Sequence, residues 1–265
     1  MEQYLNHQII FKNKATTASS EHQLVKEEPL SIRIEGKPYS VVMRTPGDEL
    51  AHGAGFCLAE GIVDTIDEIE TLACCDDTNP NVITVTLGKS RKGKIADLLE
   101  RRSFISQTSC GICGKEIVEE LFQLIHPLTD DIQIDSEIAM SLAENITRHQ
   151  PLREMTRASH AAALYSQDFE LLSVAEDVGR HNALDKAIGK LFLNRKLYKA
   201  SFVILSSRIS YELVQKAARA RIPIILAISR PTSVAVELAS KLNMTIACLA
   251  KDSGLFIFCG KHRLL

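Results

Sequence analysis

Ser109-Cys110-Gly111-Ile112-Cys113-Gly114 sets two thiols three positions apart between glycines. Glycines on both sides let the backbone turn freely and leave the sulfurs without bulky cover. Just beyond, Ile117, Val118, Leu121, Phe122, Leu124 and Ile125 recur at helical spacing, which predicts a helix from about Gly114. Cys113 would then stand at or just before a helix N-terminus, where unpaired N–H groups favour an anion, and Lys115 adds positive charge. A thiol so placed ionises more readily than a free one, and the thiolate is the reactive form. The stretch points to sulfur or redox chemistry on an exposed loop. This spacing by itself leaves two alternatives open: half of a structural metal site, or cysteines that only pack.

A second constellation is Glu176-Asp177-Val178-Gly179-Arg180-His181-Asn182, the densest polar segment of the chain. It follows a predicted strand and precedes a predicted helix, the position at which open α/β sheets bind ligands. Gly179 permits close backbone approach, Arg180 offers a fork of donors suited to phosphate, and Asn182 or His181 can cap the helix. Asp185 and Lys186 lie one turn inside. A capped helix with surface charges is the plainer alternative. Ser206-Ser207-Arg208-Ile209-Ser210 repeats the arrangement after the next predicted strand. Ser229-Arg230-Pro231-Thr232-Ser233 does so again, with Pro231 suited to the first helical position. Three such turns, on strands expected to be neighbours, suggest a rim of hydroxyls and guanidiniums facing a phosphorylated ligand. Neither a P-loop nor G-x-G-x-x-G is present, so ordinary ATP and NAD sites are not indicated. His160 stands alone before Ala161-Ala162-Ala163 and reads as a satisfied core histidine, or else as a proton-exchanging site residue.

The elements that must position these groups belong to a chain of 265 residues, enough for one large or two modest domains with a sizeable core. A hydrophobic share of 45% and a charged share of 24% are those of an ordinary soluble globular protein. A formal net charge of −2 gives no whole-chain field towards nucleic acid or membrane, and the basic run Lys89 to Lys94 reads as solvated surface. Met1-Glu2-Gln3-Tyr4 has no signal-peptide pattern, and runs such as Ile224 to Ile228 are too short to span a bilayer. Seven cysteines without framework spacing argue against a disulfide-stapled secreted domain and for a reducing cytoplasm. Cys57, Cys248 and Cys259 lie in apolar stretches as small hydrophobes, and the vicinal Cys74-Cys75 reads as structural.

Residues 1–28 are polar and are expected to form a loose lead-in. Leu30 to Ile34 and Tyr39 to Arg44 read as strands joined by a hairpin at Glu35-Gly36-Lys37-Pro38. A helix opens at Pro46-Gly47-Asp48-Glu49 and stops near Gly61, Val82 to Leu87 is a strand, and Gly93 to Arg101 is helical. His126-Pro127 and the polar Thr129-Asp130-Asp131 mark a linker. It divides an N-terminal α+β domain over 29–128, carrying the cysteine loop, from a C-terminal α/β domain over 129–265. A helix is expected over 136–148. Beyond 150 the strands Leu171 to Val174, Phe202 to Leu205, Ile222 to Leu226, Met244 to Leu249 and Leu255 to Cys259 are predicted. Helices Ala183 to Leu193, Tyr211 to Ala220 and Pro231 to Leu242 alternate with the earlier ones. Such alternation predicts a sheet with parallel pairs covered by helices.

Taken together these segments resemble the FdhD family of sulfurtransferases that serve formate dehydrogenase. The likeness rests on the Cys110–Cys113 loop, on Thr156 with His160 to Ala163, and on Glu176 to Lys186. Ser206 to Ala217 and Pro231 to Glu237 also match, and the whole similarity spans roughly residues 25–265. Asp-Val-Gly-Arg-His in that order is the most specific piece. In one departure, Arg157 stands where the family usually has glycine after Thr156. The segment at 249–254 is also less basic than the family pattern and lacks one of its glycines.

The resemblance implies a cytoplasmic protein that accepts persulfide sulfur from a cysteine desulfurase. It would pass that sulfur to the bis(molybdopterin guanine dinucleotide) form of the molybdenum cofactor, Mo-bis-MGD, before insertion into formate dehydrogenase. It further implies a C-terminal domain similar to cytidine deaminases. Cys110 would hold the persulfide with Cys113 assisting, and the cofactor segment falls on Leu249, Ala250, Lys251, Asp252, Ser253 and Gly254. Arg180, His181, Arg208, Ser229, Thr232 and His160 complete the expected cofactor face. No resident metal, nucleic acid or membrane partner is expected, and a homodimer is. Among rival readings, a zinc deaminase needs H-x-E and a proline before its first cysteine. Here Ser109 precedes Cys110, and no histidine has glutamate two positions on. A thiol–disulfide oxidoreductase would want its CxxC after a strand, which Glu100 to Phe104 does not resemble. A non-catalytic, cofactor-binding chaperone would keep the phosphate-type turns and tolerate loss of both thiols.

Overall fold

The computed structural model describes residues 2–76, 79–94, 125–251 and 254–265. The cysteine loop at 109–114, the helix expected after it and most of the helix expected over 93–101 lie outside the described residues.

The lead-in is not loose. Strands β1 (Tyr4–Lys12) and β2 (Thr17–Val25) pair antiparallel in unbroken register from Tyr4↔Val25 to Lys12↔Thr17. Asn13 Oδ1 accepts the N–H groups of Ala15 and Thr16 at 2.9 and 2.8 Å and closes the turn. Composition concealed this hairpin because neither face is packed into a core. The backbone ladder holds it, with no hydrophobic alternation to read.

Strands β3 (Glu28–Ile34), β4 (Lys37–Arg44), β5 (Ile69–Asp76) and β6 (Asn79–Leu87) form a four-stranded sheet in the order β4-β3-β6-β5, with only β3 and β6 parallel. Glu35 and Gly36, at φ 53° and 76°, make the two-residue turn with both centres left-handed that the strand twist favours. Leu30, Ile32 and Ile34 alternate inward with Ile83, Val85 and Leu87. The edge strand β5 is an element that the sequence pattern did not reveal. Helix α1 (Glu49–Ala59) begins and ends as expected, with Gly61 beyond it at φ 73°.

The C-terminal part opens with α2 (Ser136–Glu144), capped by Asp135, and the short α3 (Pro151–Thr156). Then follow β7 (His160–Tyr165), β8 (Leu171–Asp177), α4 (Arg180–Leu193), β9 (Phe202–Leu205), α5 (Tyr211–Arg219), β10 (Ile224–Ala227), α6 (Ser233–Lys241), β11 (Thr245–Leu249) and β12 (Leu255–Cys259). The fold class is mixed α/β. The sheet order is β12-β11-β10-β9-β7-β8, with β9, β10 and β11 parallel and β7 antiparallel to both its neighbours. Strand β7 is the unforeseen member, because its small alanines carry little hydrophobic signal. It separates β8 from β9, so two of the three strands expected to be neighbours are not.

Both faces of the central strands of this sheet are buried, while the edge strand β12 exposes Phe256, Ile257 and Phe258. Ala162, Leu164, Val203, Leu205, Ile225 and Ala227 face α4, α5 and α6, while Ala161, Ala163, Tyr165, Phe202, Ile204, Ile224 and Leu226 face α2. Helix α1 crosses α4 at backbone contact: a Cβ on Gly189 would lie 1.7 Å from Ala51 O, and one on Gly55 1.9 Å from Asp185 O. One hydrophobic core therefore runs from Leu30 and Ile83 of the first sheet to Leu184 and Leu213 of the second part. Cys57 and Cys248 are buried within the core region, as expected, and burial pushes both thiols above the ordinary range. No helix among the described residues is long and apolar enough to cross a membrane.

Candidate functional site

Because β8, β9, β10 and β11 run the same way while β7 and β12 run against them, one sheet edge collects four strand ends and two strand starts. His160 begins β7 opposite Asp177, the last residue of β8. The Ser206 hydroxyl accepts Ala161 N–H at 2.7 Å, and Ser206 N–H donates to Ala161 O at 3.0 Å, which fixes the end of β9 beside His160. Ile228 N–H donates to Leu205 O and Thr232 N–H to Ile209 O, which stitches the turns after β9 and β10 together. Crossovers through α4, α5 and α6 thus bring residues far apart in sequence to one rim.

The structure divides the polar segment after β8 into two groups. Glu176 accepts Leu152 N–H at 2.8 Å, Arg153 N–H at 3.0 Å and the Ser159 hydroxyl at 2.6 Å, so it caps α3. Asp177 is fully buried and accepts from Thr45 N, Gly179 N and Asn182 Nδ2, with Lys186 Nζ at 2.7 Å. Lys186 also donates to Thr45 O at 2.7 Å, and Asn182 to Met43 O at 2.7 Å. These groups clamp the turn before α1 to the end of β8. Asn182 is therefore no cap; Gly179 is the N-cap, and a Cβ there would meet the Asn182 amide nitrogen at 2.8 Å. The second buried pair is Lys216 with Asp185 at 2.7 Å, where burial raises the carboxyl's pKa against the opposing pull of Lys216.

What faces outward is the other group. Arg180 and His181 form the first turn of α4, and His181 Nε2 lies 2.9 Å from Glu212 Oε2 and 3.2 Å from the Ser210 hydroxyl. The hydrogen bond from His181 holds Glu212 below the usual carboxylate range. Among the described residues Arg180 and Arg208 form no ion pair, and Arg180 Nε is buried without a partner. Asp177, Asp185 and Glu212, the acids within sequence reach of them, are paired with Lys186, Lys216 and His181. His160 is a half-buried rim residue, not a core histidine, and its Nδ1 has no partner. Burial, then Arg153, Arg180 and His181, push its imidazole below the ordinary histidine value. The Arg180 and Arg208 guanidiniums thus stand at this rim without a carboxylate partner among the described residues, groups of the kind that suit anions.

Other expected ligand residues are placed less directly. Thr232 is the N-cap of α6, its hydroxyl accepting Ala235 N–H at 3.3 Å, so helix α6 begins at Ser233 and Pro231 lies before the cap. Ser229 is half-buried on the turn after β10, and Arg230 stacks over the Phe256 ring at 4.1 Å. Leu249 ends β11, Ala250 N–H donates to Gly254 O at 2.8 Å, and Lys251 is exposed at the same edge. Cys110, Cys113, Asp252 and Ser253 lie outside the described residues. Sequence reasoning missed the partnership of Glu212 with His181 and the approach of Arg153 to His160, for which no spacing provides a signal. Among the described residues no cluster of three metal-ligating side chains occurs.

The model of the FdhD/NarQ family matches residues 25–265. The chain belongs to the FdhD/NarQ family. Sulfur carrier protein FdhD of Streptomyces avermitilis is 36% identical over 252 residues, which covers 91% of this chain and 88% of that one. The FdhD protein of Sulfurisphaera tokodaii is 35% identical over 261 residues, 97% of each chain. A crystal structure from Desulfotalea psychrophila, assigned as a formate dehydrogenase accessory protein, has the same fold, with a TM-score of 0.79 at 23% identity over the whole of both chains. In this FdhD-family chain the segments Glu176 to Lys186 and Ser206 to Ala217 divide their residues between the buried clamps and the exposed rim.

Proposed function

We propose that this chain is a sulfurtransferase of the cytoplasm that carries sulfur for formate dehydrogenase. Cys110 receives sulfane sulfur from a cysteine desulfurase as a persulfide. The sheet edge holds the acceptor, the guanine-dinucleotide molybdenum cofactor, as substrate. The observation that carries the reading is the convergence of His160, Arg180, His181 and Arg208 on one rim, with both arginines unpaired among the described residues. Similarity along nearly the whole chain to proteins named sulfur carrier protein FdhD supports it.

The donor set fits such a cargo. Two guanidiniums, the Ser206 hydroxyl and the His160 imidazole offer charge-assisted and neutral hydrogen bonds to phosphate and ribose oxygens. Arg180 Nε and His160 Nδ1 are buried polar atoms without an internal partner, a deficit that a bound ligand would relieve. In the sulfur step, Cys113 thiolate attacks the inner sulfur of the Cys110 persulfide. A Cys110–Cys113 disulfide forms, the sulfane S–S bond breaks, and the outer sulfur leaves as hydrosulfide, so two electrons pass from the thiols to sulfur. A cellular thiol reductant then restores the pair.

The test is intact mass after incubation with a desulfurase and cysteine. Wild type should gain roughly 32 Da, one sulfur, removable by a reductant, and Cys110→Ala should not. Formate dehydrogenase should stay inactive in cells whose only copy is Cys110→Ala. Normal activity there would favour the chaperone reading, in which the thiols are dispensable. Persulfide build-up in Cys113→Ala with slow delivery would support the internal-disulfide route.

A further inference from the structure

The short 3-10 turn at Ile146–His149 and helix α3 border an open cavity of about 390 Å3 lined by Thr147, Arg148, Gln150, Arg153, Glu154 and Arg157. None of these residues belongs to the rim turns. Arginines outnumber the one carboxylate by two. Among the described residues Arg148 and Arg157 make no ion pair or side-chain hydrogen bond, and Arg153 uses only Nη1, on Ser159 O at 2.9 Å. Gln150 is 1% exposed, and neither its Oε1 nor its Nε2 has a partner. A buried amide with all its hydrogen-bonding capacity open is costly unless something outside the fold satisfies it. Helix α3 does not contribute its N-terminus, because Leu152 and Arg153 N–H are bound to Glu176. Arg157 holds the left-handed conformation at the end of α3, φ 60°, a backbone that usually favours glycine and here carries a guanidinium into the lining.

We propose that this cavity is a second oxyanion site, taking a phosphate or pyrophosphate group. Gln150 donates through Nε2 to an anion oxygen and accepts through Oε1 from a P–OH, while Arg148, Arg153 and Arg157 supply charge-assisted donors. Glu154 opposes them and sets the preference for a partly protonated anion over a fully ionised one. The occupant is either a free inorganic anion or the phosphate end of a larger nucleotide.

The experiment is calorimetric titration of pyrophosphate, inorganic phosphate and GDP into the full chain, three cavity variants and the rim variant Arg208→Ala. Arg157→Gly relieves the left-handed backbone, Arg148→Ser changes an exposed residue, and Gln150→Leu keeps the side-chain volume. Pyrophosphate should bind wild type and weaken with added salt. Each cavity arginine variant should lose about tenfold in affinity. Gln150→Leu should also bind more weakly, yet melt no lower than wild type without ligand, since an orphaned amide has been removed. Competition between GDP and pyrophosphate that persists in Arg208→Ala assigns the site to a nucleotide's phosphates; independent binding assigns it to a free anion. The proposal fails if wild type binds neither inorganic anion. It also fails if all three cavity variants bind as wild type does, or if only Arg208→Ala abolishes pyrophosphate binding. A lower melting temperature in Gln150→Leu with unchanged binding would make the amide structural. Sulfur loading on Cys110 is read separately by mass and does not depend on these variants.

Discussion

Lys186 Nζ lies 2.7 Å from Asp177 Oδ2, and both side chains are sealed from solvent. The pair bridges the turn before α1 to the end of β8 through Thr45, which gives its N–H to Asp177 and its carbonyl to Lys186. Removing one partner leaves a buried charge without a counterion, so Lys186→Met or Asp177→Asn should each destabilise by about 3–5 kcal/mol. The double variant should cost less than the sum, because the second change removes the uncompensated charge. Denaturant unfolding of the four proteins reads this directly, and additive losses would show the pair to be uncoupled.

The crossing of α1 and α4 depends on having no side chain at two positions. Gly189→Ala places a methyl group 1.7 Å from Ala51 O, so the helices must separate. The expected loss is about 1–3 kcal/mol or more from overpacking, against roughly 1 kcal/mol regained in helix propensity. A melting temperature equal to or above wild type would mean that the crossing relaxes without cost.

His52 on α1 is fully buried near Lys186, Lys216 and Arg44. Burial first, then these cations, push its imidazole well below the ordinary histidine value of about 6.5. A depressed folded value means that the unfolded chain binds the proton first. The stabilising contribution is therefore complete above about pH 6.5 and is lost as pH falls through the folded value, with a slope approaching about 1.4 kcal/mol per unit. His160 adds to the same window with a depressed value of its own. Asp185 has a raised value and acts with the opposite sign, and Glu212, with a lowered one, loses its contribution only as pH falls through the carboxylate range and below. His52→Leu should flatten the limb between pH 6.5 and 5; an unaltered limb in urea unfolding would place the acid lability elsewhere.

Arg180→Ala and Arg208→Ala should each weaken GDP binding by one to two decades, since charge-assisted bonds contribute roughly 1.5–3 kcal/mol. Neither arginine is paired among the described residues, so melting temperatures should hardly change. Unchanged affinity together with lowered melting would mean that the rim is structural and that the ligand face is misplaced. Calorimetric titration at two salt concentrations supplies both readouts.

Much of this was legible in the chain. Strands rich in Ile, Leu and Val, such as Phe202 to Leu205, announce themselves because burial on both faces demands continuous apolar runs. Gly61 and the Glu35-Gly36 turn mark their boundaries because local backbone geometry depends on local residue type. Strands β1, β2 and β7 were not legible: the first two bury no face, and alanines with a lone histidine carry weak strand preference.

The sequence by itself determined which residues follow which strand, and therefore that hydroxyls and guanidiniums recur at strand ends. It also determined that two thiols share one glycine-flanked loop. Only the tertiary structure decided which of the charged groups are available for chemistry. Asp177 with Lys186 and Asp185 with Lys216 are consumed in buried pairs, while Arg180, Arg208 and His160 form no ion pair among the described residues. The physical reason is that a charge's partner is set by through-space distance and burial. The turn before α1 reaches Asp177 from 132 residues away in the chain, and no local pattern encodes that meeting.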